Sequence, residues 1–216
     1  EDDDPGTTWN KDSRERDADR LSPRQAWRAI QDGLPKDAII SSDIGNNCAI
    51  GNAYPTFEEG RKYLAPGLFG PCGYGFPSII GAKIGNPDTP VVGFAGDGAF
   101  GISMNEMTSI GREEWPDVTM VIFRNYQWGA EKRNSILWYS DNFIGTELDP
   151  NLSYARVAEG CGLKGVAVRT QEELTAALKL SCEEQQKGIT TFIEVILNQE
   201  LGEPFRRDAM KAPVAV

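Results

Sequence analysis

An aspartate between two glycines, in the run GDGAFG at 96–101, is the most chemically suggestive feature of this chain. The run follows the apolar stretch PVVGFA and opens a helical pattern, which is the context of a glycine-rich turn that cradles phosphate. A dinucleotide-binding domain would use the same spacing, but two features oppose that reading. Asp97 puts negative charge where a pyrophosphate would approach, which is repulsive unless a cation lies between them. The acid expected to hold a ribose near the end of the next strand is also missing, because that strand ends in Arg124 and Asn125. A carboxylate at one strand end and an amide oxygen at the next are hard ligands suited to Mg²⁺, whose octahedron is completed by phosphate oxygens and water. Asp97 and Asn125 lie 28 residues apart, about one helix plus one strand, so adjacent parallel strands would bring them to one rim. A tight turn with a solvated aspartate and an unrelated asparagine is the other reading of that spacing.

Composition narrows the chemistry further. The 216 residues contain no histidine, which excludes histidine triads and histidine metal sites within the chain. Acid–base work must come from carboxylates, lysines, a cofactor or another domain. A formal charge of −10 argues against a nucleic-acid partner. It also means that bound phosphate would be held by a metal or by backbone N–H groups rather than by a broad basic surface. Cys48, Cys72, Cys161 and Cys182 fall at unrelated spacings and read as free, mostly buried thiols of a reducing compartment. No apolar stretch is long enough to span a membrane, and the opening lacks signal-peptide character, which leans toward the cytoplasm.

The elements that must position Asp97 and Asn125 follow from periodicity. Residues 1–20 are densely charged and read as a linker from an upstream domain. Ser22-Pro23 with Gln25 forms a capping box for a helix whose Ala26, Trp27, Ile30 and Leu34 share one face. Buried strands are expected at 38–43, at 90–98 (running into the glycine turn), 118–125, 165–170 and 190–197, with helices at 75–85, at 101–114 and between Thr170 and Gly188. This alternation predicts an α/β fold, a doubly wound, mostly parallel sheet with helices on both faces. The domain would span 21–200, followed by a tail at 201–216. Ligands of such sheets sit at the strands' carboxyl ends, just after 42, 95 and 123.

At this point the sequence resembles the thiamine-diphosphate enzymes, whose fingerprint is GDG, some 25–30 residues, then Asn. The resemblance covers about residues 22–200 and implies Mg²⁺ held by Asp97, the Asn125 side chain and the Gln127 carbonyl. Gly96, Gly98 and Ala99 would form the diphosphate turn, the last two through their N–H groups. SDIGNN (42–47) looks like the family's strand-end loop, which implies Gly45, Asn46 and Asn47 beside the diphosphate. GLFGPCGYGFPSIIGAK (67–83) resembles the loop and helix beneath the aminopyrimidine. There Gly70 would accept from the 4′-amino group, and Cys72 would sit at the wedge that bends thiamine diphosphate. The chain departs from the family pattern at Arg124, where asparagine is frequent, and at Cys72, where the wedge is usually larger.

Within the family, NYQWGAEKRN (125–134) and LGEPFRRDA (201–209) are similar to the branch acting on sulfoacetaldehyde. That branch implies conversion of sulfoacetaldehyde and phosphate to acetyl phosphate and sulfite, with an activating glutamate supplied by another domain and a homodimer or homotetramer. Lys132, Arg133, Arg206 and Arg207 are the candidate contacts for sulfonate or phosphate, each with a solvated surface charge as the alternative. Glu106 reads as a helix-surface or packing carboxylate. An acetolactate-synthase-like enzyme acting on 2-keto acids, and a non-catalytic module that only holds the cofactor, are the competing readings.

Overall fold

The computed structural model describes residues 19–57, 62–139, 142 and 144–201. Six parallel strands form one sheet in the order β2-β1-β3-β4-β6-β5, with β1 at Ile39–Ser42, β2 at Tyr63–Leu64, β3 at Val91–Gly96, β4 at Thr119–Arg124, β5 at Lys164–Val168 and β6 at Thr191–Ile196. The helices are α1 (Pro23–Gly33), α2 (Asn46–Gly51), α3 (Gly75–Gly85), α4 (Asp97–Ser103), α5 (Met107–Ile110), α6 (Gly129–Tyr139), α7 (Tyr154–Gly160) and α8 (Gln171–Glu184). This is the expected parallel α/β architecture.

The central strands are apolar on both faces because both are covered. Val92, Phe94, Val121, Phe123, Ile193 and Val195 pack with α1 and α8, while Val91, Ala95, Met120, Ile122 and Phe192 pack with α3, α5 and α7. The period-2 alternation along each strand thus feeds two separate cores.

Local chemistry explains where the helices begin and end. Both expected capping boxes form, at Ser22 with Gln25 and at Thr170 with Glu173. The last helix closes through a 3₁₀ turn at Gln185–Lys187 onto Gly188, whose φ of 79° suits glycine. One expectation needs correction. The helix anticipated at 101–114 begins at Asp97, passes through a 3₁₀ turn at Met104–Glu106 and ends at Ile110. The glycine turn is itself the first turn of the helix, because Gly98 leaves room for the ring of Trp128, which a Cβ there would approach to 2.8 Å.

The strand order places a switch between β1 and β3. The chain leaving β1 enters α2, whose Cys48 joins the α1 side, whereas the chain leaving β3 enters α4, whose Phe100 joins the other side. Connections that diverge to opposite faces open a crevice at the strands' carboxyl ends.

Candidate functional site

A cavity of about 320 Å³ occupies that crevice, a size suited to a small ligand. Its walls include Gly45, Asn46 and Asn47 after β1, Gly70 and Cys72 from the loop before α3, Gly96, Asp97, Gly98 and Ala99 after β3, and Asn125 and Gln127 after β4. Residues as far apart as Gly45 and Gln127 thus converge on one space, and every residue named from sequence as a metal or cofactor contact lines it. The first turns of α2, α4 and α6 all border the cavity, so the positive ends of their dipoles lie at its wall.

Asp97 is nearly fully buried, and its two carboxylate oxygens are used differently. Oδ2 accepts from Arg124 Nη1 at 2.9 Å and from the Tyr126 N–H at 2.7 Å. Oδ1 accepts from the Gly98 N–H at 2.9 Å. Oδ2 therefore has both lone pairs engaged, whereas Oδ1 keeps one open, a geometry that suits single-oxygen ligation of a cation. Burial pushes the Asp97 carboxyl up to about 6, against the pull of Arg124 and the two N–H donors.

Two further observations fit a metal–diphosphate group. Asn47 Oδ1 and Gln127 Oε1 are buried without a hydrogen-bond partner, although Gln127 Nε2 donates to the Gln199 carbonyl at 3.1 Å. A Cβ added at Gly96 or Gly45 would meet no atom within 4 Å, so side chains there would project into open space. Gly45 also has φ 132°, a conformation that favours glycine. Among the described residues no group of three or more His, Cys, Asp and Glu side chains could hold a metal. An ion here would rest on one carboxylate, amide and carbonyl oxygens, and the diphosphate, the donor set that Mg²⁺ tolerates.

The supporting shell is specific. Trp27 Nε1 donates to the Asn47 carbonyl at 2.8 Å, and Asn46 Nδ2 donates to the Glu200 carbonyl at 3.1 Å. Cys72 is half-buried, and burial together with Asp43 and Glu131 pushes its thiol up.

The candidate anion contacts separate. Arg133 lines the cavity together with Glu131. Lys132 is not among the lining residues and pairs with Glu147. Arg206 and Arg207, with most of the 201–209 segment, lie outside the described residues, as do residues 1–18. Glu106 sits half-exposed in the 3₁₀ turn, accepting from Asn105 Nδ2 at 3.2 Å, away from the cavity lining. Sequence reasoning missed Trp128 and Glu131 as lining residues, although both fall within the quoted 125–134 segment. Finding them required knowing that a helix starts at Gly129.

Comparison with known proteins agrees with this geometry. Residues 43–195 match the family model described as "Thiamine pyrophosphate enzyme, C-terminal TPP binding domain". Over its whole length the chain is 79% identical to a probable sulfoacetaldehyde acetyltransferase of Rhizobium meliloti and 73% identical to a sulfoacetaldehyde acetyltransferase of Roseovarius nubinhibens. In each case it spans 36% of the relative's length. It is 29% identical to acetolactate synthase 1 of Nicotiana tabacum, over 74% of the chain and 25% of the relative. Among solved structures, the thiamine diphosphate-dependent 4-hydroxybenzoylformate decarboxylase of Rhodococcus jostii RHA1 superposes with a TM-score of 0.74 at 28% identity, covering 83% of this chain and 33% of that one. A crevice at the β1/β3 switch, an aspartate at the head of α4 and this matched span together establish that the chain belongs to the thiamine pyrophosphate enzymes, as their C-terminal cofactor-binding domain.

Proposed function

We propose that the cavity binds thiamine diphosphate through Mg²⁺ and serves a larger enzyme that converts sulfoacetaldehyde and phosphate to acetyl phosphate and sulfite. The observation that carries this reading is the convergence of residues 45–47, 70, 72, 96–99, 125 and 127 on one space at the sheet's switch point. Asp97 Oδ1, the Asn125 amide oxygen and the Gln127 carbonyl hold the ion. The Ala99 N–H donates to the diphosphate, Gly98, whose N–H is engaged by Asp97 Oδ1, lines the turn beside it, and Gly45, Asn46 and Asn47 flank it. The Gly70 carbonyl accepts from the aminopyrimidine, and Cys72 supports the bend of the cofactor. When bound, thiamine diphosphate supplies a nucleophilic carbon for the aldehyde and an electron sink for the carbon skeleton it holds. Sulfite leaves in place of carbon dioxide, so no decarboxylation is required.

Of the candidate anion contacts among the described residues, Arg133 lines the cavity, and it takes the contact with an anionic substrate, sulfonate or phosphate. The Arg133→Gln variant of the full-length enzyme should raise the KM of one anionic substrate about tenfold or more, the effect of losing a charge-assisted contact. Unchanged KM values for both substrates would remove Arg133 from this role.

The protein works as a cytoplasmic homodimer or homotetramer in sulfonate and taurine breakdown, with its activating glutamate outside this chain. Leu68 and Phe69, almost fully exposed on the loop that carries Gly70 and Cys72, support a partner subunit packing there. Residues 1–216 alone should therefore form no acetyl phosphate, and measurable turnover by the purified domain would contradict this. Sulfite release by the full-length enzyme from sulfoacetaldehyde plus phosphate tests the reaction itself. Carbon dioxide release from 2-keto acids, without sulfite release, would favour the acetolactate-synthase-like reading.

A further inference from the structure

Arg124 ends β4 immediately before Asn125 and has no exposed side-chain surface. A guanidinium this deeply buried must be satisfied on several sides. Nη1 donates to Asp97 Oδ2 at 2.9 Å, while Nη2 donates to the Asp149 carbonyl and, at 3.2 Å, to that of Leu152. Glu194 Oε1 lies 3.7 Å from Nε, and its other oxygen accepts from Ser153 Oγ and the Ala155 N–H. The guanidinium carbon lies 4.2 Å from the centre of the Tyr126 ring and 5.5 Å from that of Tyr154.

Both tyrosines also lead back to Asp97. The Tyr126 N–H donates to Oδ2, and the Tyr154 hydroxyl donates to the Asp97 carbonyl at 2.8 Å. Tyr126 has φ 63°, and among the described residues it is the only non-glycine residue with positive φ. A left-handed tyrosine is strained and persists only where its surroundings over-determine it. It stands between Asn125 and Gln127, two of the three residues assigned to the ion.

Charge compensation alone would require only a cation, and a cation beside a metal ligand opposes metal binding. Spanning a carboxylate and two carbonyls from one planar group requires the guanidinium fork. We propose that Arg124 is a positioning residue for the metal-binding turn, which locks Asp97 by Oδ2 so that Oδ1 stays open and holds Tyr126 in the backbone conformation that sets Asn125 and Gln127 around the cavity. This inference rests on the reading that the cavity binds Mg²⁺ with thiamine diphosphate.

The test is Mn²⁺ binding to the metal-free full-length enzyme in saturating thiamine diphosphate, followed by loss of the free-Mn²⁺ electron paramagnetic resonance signal. Arg124→Lys and Arg124→Gln should each raise the Mn²⁺ Kd by about tenfold or more, the range for disturbed outer-shell partners. Tyr126→Ala removes the ring but no buried charge and should raise it about threefold. Wild-type affinity in Arg124→Lys, or tighter binding in Arg124→Gln, would overturn the proposal, since charge rather than the fork would then decide. If circular dichroism shows the Arg124 variants unfolded, Tyr126→Ala decides, and an unchanged Kd overturns the proposal. Folded wild-type enzyme that takes up no Mn²⁺ would instead sink the cofactor reading, and this inference with it.

Discussion

Asp43, just after β1, reaches a loop 30 residues away. Its Oδ1 accepts from the Ile44 N–H at 2.8 Å and the Gly73 N–H at 3.1 Å, and its Oδ2 accepts from the Gly75 N–H at 2.7 Å. Gly75 begins α3, so the carboxylate also caps the positive end of that helix. Burial pushes the Asp43 carboxyl up, and the backbone donors pull it back. The side chain therefore ties the strand-end loop to the loop that carries Gly70 and Cys72. Asparagine would offer one acceptor oxygen and turn an NH₂ group toward a backbone N–H, leaving a buried donor unsatisfied. Asp43→Asn should cost about 2 kcal/mol, within the range for a lost hydrogen bond to a charged group. The unfolding midpoint of the full-length protein should fall below that of the wild type. A midpoint matching the wild type would show that the loop is held by other contacts. Asp43 stands in the quoted SDIGNN run, yet the sequence offers no sign of its role, because its partners are backbone groups of a distant loop.

At the scale of elements, the site depends on how α2 sits against α1. Trp27 of α1 packs against Phe94 and Phe123, with ring centroids at 4.9 and 5.2 Å, and its indole N–H fixes the start of α2 at Asn47. Gly51 closes α2 over the same ring, where a Cβ would lie 2.0 Å from Cζ2. The indole cannot yield, because it is wedged against two core phenylalanines. Gly51→Ala must push α2 away, at about 1–3 kcal/mol for overpacking. Since α2 begins with Asn46 and Asn47, the Kd for thiamine diphosphate should rise as stability falls. Calorimetry showing reduced stability but an unchanged Kd would mean that the helix tilts without moving its first turn. Elements with strong local signals were legible in the sequence: the five apolar strands, the two boxed helices and α3, whose expected bounds of 75–85 match. Weaker signals failed for physical reasons. The two residues of β2 and the six of α2 are too short to show a period, and α6 carries polar residues all round. The helix expected at 101–114 was misplaced because glycines read as a turn can also be a helix's first turn. The cavity was legible as a set of strand ends, but its depth, its Trp128 wall and the Arg124 clamp depend on side chains meeting across the sheet.

At the scale of the whole molecule, the two cores hide titratable groups whose protons are coupled to folding. Cys48 and Cys182 lie in the core shared by α1 and α8, and burial pushes each thiol up to about 12. On the other face burial also pushes the Tyr154 hydroxyl up to about 12. The folded state keeps these protons at pH values where an unfolded chain, with thiols near about 8.5, has lost them. Stability from the thiols is therefore complete below about pH 8.5 and is lost as pH rises toward 12, by about 1.4 kcal/mol per pH unit for each thiol. Above about pH 10 the tyrosine adds to the decline. Two buried thiols should make the unfolding free energy fall steeply between about pH 9 and 10.5 under reducing conditions. Cys182→Ala will lower stability at every pH by leaving a cavity, but it should also flatten this decline by one thiol's share, because the titrating group is gone. The informative quantity is thus the slope rather than the level. A variant that lost stability with the same alkaline slope as the wild type would show that Cys182 ionises in the folded core as readily as in the open chain, and that this face of the sheet admits water.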